Sequence, residues 1–70
     1  MLYIKQQAMN GRDLKKRLEG HGWILDRISG SHHIMIKEGC RSIPIPVHET
    51  TDLPKGLVKA IMKQAGIREK

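Results

Sequence analysis

Two prolines stand two residues apart inside an alternating apolar run, Ile43-Pro44-Ile45-Pro46-Val47. A period of two is the signature of a strand, and Ile43, Ile45 and Val47 share one of its faces. Prolines at that spacing lack N–H groups on the same side of the backbone, so a central strand would lose two ladder donors at once. The segment 41–47 is therefore a sheet edge, and one that resists a further strand. Upstream, residues 32–37 alternate and reach it through Glu38-Gly39, a hairpin turn. Residues 23–29 are rich in bulky apolar side chains and bounded by Gly22 and Gly30, which makes a third strand. Three antiparallel strands in the order 1-2-3 follow.

A helix is predicted on either side of this sheet. Asn10 or Gly11 can cap the first, Asp13 lies in its first turn, Leu14 and Leu18 share a face, and Gly20 and Gly22 end it. After a polar connection over 48–52, Pro54 suits the first position of the second helix and Gly66 its stop. Leu57, Ile61 and Ala65, joined by Val58 and Met62, form its core-facing stripe. The expected fold is α+β, in the order α-β-β-β-α, with two helices on one face of a three-stranded antiparallel sheet and the other face open. In the second strand, Ile34 and Ile36 are expected to face the helices together with His32, leaving His33, Met35 and Lys37 on the open side. Residues 1–8 precede the first helix signal and read as an extension of low order, with Met9 an alternative start; residues 9–68 are the domain.

With 70 residues the chain supports one thin core, worth about 3–5 kcal/mol, and excludes nucleotide-binding α/β folds, barrels and enzymes with large enclosed pockets. Thirteen Lys+Arg against seven Asp+Glu leave a formal charge of +6, spread over both halves, which points to nucleic acid as the leading partner class. Residues 53–68 carry Lys55, Lys59, Lys63 and Arg68 with no acid. Three of these, Lys55, Lys59 and Lys63, recur at helical spacing as one ridge, either a solvated face or a surface for phosphates. A single cysteine, Cys40, and the lack of any apolar run long enough to cross a bilayer suit a cytoplasmic protein without membrane association.

Four histidines are the side chains that titrate near neutrality. His32 and His33 are adjacent on a strand, so they point to opposite faces and cannot chelate one metal together. His21 complements the dipole at the end of the first helix, and His48 follows the third strand. The acids form no paired set for two Mg²⁺ ions, so neither metal nor cofactor is expected. Backbone N–H groups of Gly30 and Ser31, with the Ser31 hydroxyl, suit a phosphate beside His33. Arg12, Lys15, Lys16 and Arg17 read as a solvated helix face.

The succession Gly22-Trp23, Gly30-Ser31-His32-His33, Ile45-Pro46-Val47-His48, Asp52-Leu53 and Lys63-Gln64-Ala65-Gly66-Ile67 resembles the HicA family of toxins from bacterial toxin–antitoxin systems. Order and spacing match from about Met9 to Ile67. Gly11 in place of a Ser or Thr cap, Pro44 and residues 1–8 depart from the pattern. The resemblance implies a double-stranded-RNA-binding-domain-like fold, an mRNA interferase activity that halts translation, and a HicB-type antitoxin that covers the site. Operator DNA is then expected to be contacted mainly through the antitoxin. It also implies that the functional histidine is the last residue of a Gly-Ser-X-His motif, here His33. On that basis the ribose 2′-OH attacks the adjacent phosphate with His33 as base or acid. Lys37 stabilises phosphoryl charge, Lys55, Lys59 and Lys63 hold the strand, and His48 is a candidate complement. A non-catalytic RNA-binding module of the same fold is the alternative, and a small protein answering an acidic partner is a third reading.

Overall fold

The computed structural model describes residues 9–48 and 51–67, and the expected extension over 1–8 lies outside them. The elements run α1 (Gly11–Glu19), β1 (Ile24–Ser29), β2 (His32–Ile36), β3 (Ile43–Pro46) and α2 (Lys55–Gln64). The sheet is antiparallel in the order β1-β2-β3, as the two prolines require. Each strand is shorter than the sequence suggests. Trp23, for example, precedes β1 and is 1% exposed in the core.

Cross-strand pairing sorts the faces. Met35 pairs with Ile43 and His33 with Ile45, and Met35, Ile43 and Ile45 are all buried. Together with Leu14, Leu18, Trp23, Ile61, Met62, Ala65 and Ile67 they make one core, so both helices cover the same face of the sheet. This reverses the expected orientation of β2. Met35 and His33 face the helices, while half-buried Ile34 and Ile36 and exposed His32 lie on the outer side. Both sides of β2 carry apolar residues, so alternation alone could not choose between them. The partner strand did, because Ile43 and Ile45 can be buried only on the side away from Pro44 and Pro46.

Asn10 caps α1 by accepting from the Asp13 N–H at 2.9 Å, and the Asp13 carboxylate accepts from the Asn10 N–H at 3.3 Å, a reciprocal capping box. Gly11 is buried where α1 meets the end of β3: a Cβ there would overlap the Pro46 carbonyl oxygen and lie 2.8 Å from Val47 Cα. Its role is thus close approach rather than capping. Pro54 is the N-cap of α2 instead of its first helical residue, with its carbonyl accepting from Leu57 and Val58 N–H. At the far end, Gly66 at φ 75 donates to Lys63 O and Ile67 donates to Met62 O, a Schellman stop. The buried stripe of α2 is Ile61, Met62 and Ala65 with half-buried Val58, whereas Leu57, expected in it, is 37% exposed. An Asn10–Asp52 bridge and a Leu53 N–H to Met9 O bond tie the approach of α2 to the start of α1.

Because rigid backbone atoms occupy the space beside Gly11, Gly11→Ala is expected to cost about 3 kcal/mol, near the top of the usual overpacking range. Urea denaturation checks it. Asn10→Ala, which removes a cap without a clash, should cost about 1 kcal/mol.

Candidate functional site

The β1–β2 hairpin closes with the pair Ser29–His32 around a two-residue turn, Gly30-Ser31. Gly30 adopts φ 63, a conformation that favours glycine, and the space beside its Cα is open. The Ser31 carbonyl accepts from Val47 N–H at 2.8 Å, which carries the β2–β3 pairing up to the turn. His33 follows at once, flanked by Ile28 on β1 and Ile45 on β3. The same end of the sheet receives the start of α1, through Gly11 against Pro46.

His33 is half-buried, and its Nδ1 is buried with no hydrogen-bond partner among the described residues. An unpaired buried nitrogen costs about 1–3 kcal/mol, and the indole nitrogen of Trp23 in the core is the other such atom among the described residues. His33 therefore sits at the rim of the covered face, not on the open one where alternation with Met35 and Lys37 puts it. The exposed histidine of the pair is His32.

The expected site residues separate into three places. Gly30, Ser31 and His33 are brought together at the hairpin. Lys37 lies just past the end of β2, four residues beyond His33, about 13 Å away at ~3.3 Å per residue. There its Nζ donates to the His21 carbonyl at 2.9 Å, and its stem lies near Gly22. It staples the end of α1 to the sheet, at the opposite end from His33. Lys55, Lys59 and Lys63 lie exposed along α2, and Lys59 and Lys63 border a groove of 190 Å³ floored by Val58, Met62 and Ile67. His48 is exposed after β3, and its carbonyl accepts from Thr51 N–H. No group of three His, Cys, Asp or Glu that could hold a metal ion occurs among the described residues. None of the helices among them is long and apolar enough to cross a membrane.

With the geometry in place, the likenesses to known proteins are informative. The family model described as the HicA toxin of bacterial toxin–antitoxin systems matches residues 11–67. The chain belongs to the HicA toxin family. A solved toxin–antitoxin complex from Streptococcus pneumoniae contains a chain 40% identical to this one, with a TM-score of 0.74 over 84% of this chain and 98% of that chain. No curated protein matches. HicA membership assigns a toxin role, and the α-β-β-β-α fold agrees with it.

Lys37 contributes to holding this HicA domain together, so Lys37→Met is expected to lower its stability by about 1 kcal/mol through the lost hydrogen bond to a backbone carbonyl. A shift in the urea midpoint at unchanged m-value would show it.

Proposed function

We propose that this HicA-family toxin is a metal-independent endoribonuclease that cuts messenger RNA and thereby inhibits translation in the cytoplasm. A HicB-type antitoxin is proposed as its partner, in keeping with the toxin–antitoxin complex formed by its Streptococcus pneumoniae relative. The observation that carries the reading is the half-buried His33, with an inward nitrogen lacking a partner, beside an open glycine turn. A neutral imidazole has one donor and one acceptor nitrogen, so a ring oriented by packing presents one of them to substrate. Acting as a base, His33 takes the proton of the ribose 2′-OH. The 2′-oxygen then bonds to phosphorus as the bond to the 5′-oxygen breaks, giving a cyclic phosphate and a free 5′-hydroxyl once that oxygen is protonated. Protonation of the leaving oxygen is the alternative role for the same ring, with His48 or water as complement.

Gly30 and Ser31 supply backbone and hydroxyl donors beside the reacting phosphate. Lys55, Lys59 and Lys63 hold the strand through its phosphates, giving affinity with little sequence choice. Lys37, held at the other end of β2, acts at most on a neighbouring nucleotide rather than on the phosphate that reacts at His33.

The test is cleavage of a labelled single-stranded RNA in excess EDTA by the parent protein and by His33→Ala and His33→Gln, all prepared identically. The parent should cut, and both variants should lose at least about 100-fold in rate while still binding RNA. Equal cutting by all three would sink the role of His33. Cutting by none, with RNA bound, would favour a non-catalytic RNA-binding module. Separately, replacing Lys55, Lys59 and Lys63 with Ala should reduce the salt dependence of single-strand binding, log K against log salt, by about two.

A further inference from the structure

The sheet has two edges, and they are treated differently. On β3, Pro44 and Pro46 remove the donors that a further strand would need. On β1 there is neither proline nor lysine, and all six residues are exposed. Leu25 and Ile28 lie on the helix side of the sheet, since they pair with Met35 and His33, yet they remain 37% and 55% exposed because the helices do not reach them. Their presence on one face, three residues apart, is the work of a bulge between Leu25 and Arg27.

We infer that β1 is a self-pairing edge, and that a second copy of this chain docks there antiparallel, joining two three-stranded sheets into one of six strands. Within Ile24-Leu25-Asp26-Arg27-Ile28-Ser29 the central four residues, Leu25 to Ile28, are complementary to their own reverse about the midpoint between Asp26 and Arg27. In that register Leu25 faces Ile28 of the second copy on the helix side, and Asp26 faces Arg27 of the second copy. Two-fold symmetry makes each contact twice. Asp26 and Arg27, which touch at 2.8 Å within one strand, become a four-charge cluster across the axis. The bulge argues for this occupant in particular. It would throw a regular strand out of register, but it meets an identical bulge in an antiparallel copy. The small area makes the dimer weak and concentration-dependent. Ile28 is the cross-strand neighbour of His33, so the second copy would wall one side of the hairpin end.

Sedimentation equilibrium of the full chain over a concentration series, with reductant present to keep the exposed Cys40 from cross-linking, tests the inference. The parent should associate to a dimer. Asp26→Arg and Arg27→Asp each set like charges opposite each other and should raise the dissociation constant about tenfold. The double swap Asp26→Arg/Arg27→Asp should restore the parent value, which only this register predicts. Circular dichroism confirms that each variant is folded, since these side chains are solvent-exposed. A chain monomeric at every concentration, a dimer indifferent to the single swaps, or a double swap no better than the singles would each overturn it.

Discussion

The packing of β3 is the constraint on which the rest of the molecule depends. It is an edge strand by virtue of its prolines, and it is also the strand against which both helices make their principal contacts. Ile43 and Ile45 fill the core while Pro44 and Pro46 point away from it, so one four-residue segment both seals an edge and anchors the two helices. That arrangement needs α1 to come within backbone contact of Pro46 and Val47, which only the bare Cα of Gly11 allows. Without that approach Leu14 and Leu18 would be held off the sheet, and a core with ten buried apolar residues among those described has little to spare.

A core centred on β3 leaves β1 outboard. Its side chains are exposed on both faces, and β2 becomes the boundary between packed and open structure. His33 lies on that boundary. Burial of Nδ1 without a partner costs stability that the small core must offset, and Met35 and Ile45 in the same layer are fully buried. The loss is tolerable because the hairpin turn next to it needs no side chain from Gly30 and is pinned by the Ser31 to Val47 hydrogen bond.

Topology, strand order, the α1 cap region and the Gly66 stop were legible in the sequence because each rests on a local chemical fact: a missing N–H, a capping side chain, a positive φ. The orientation of β2 was not, because Ile34 and Ile36 on one side and Met35 on the other are equally burial-competent. Lys37 adds to the ambiguity. It reads as a solvent marker, yet its ammonium is bonded to the His21 carbonyl at the rim of the covered face. Leu57 departs from its expected place for a related reason. Helical spacing puts it on the stripe of Ile61 and Ala65, but in the first turn of α2 that stripe has run past the sheet, and Val58 takes the inner position. The resemblance points to His33 by motif alone and does not depend on which face of the sheet the ring occupies.

That change of face bears on how a chain of this size can hold a histidine ring in place. A histidine on a bare sheet face would rotate freely and be solvated like any surface imidazole. At the rim of the core His33 has Ile28 and Ile45 as its cross-strand neighbours, and a hairpin turn that leaves the space beside Gly30 open. Orientation of such a ring has to come from its apolar surroundings, because no polar or charged residue among the described ones is buried to supply a hydrogen-bonded network.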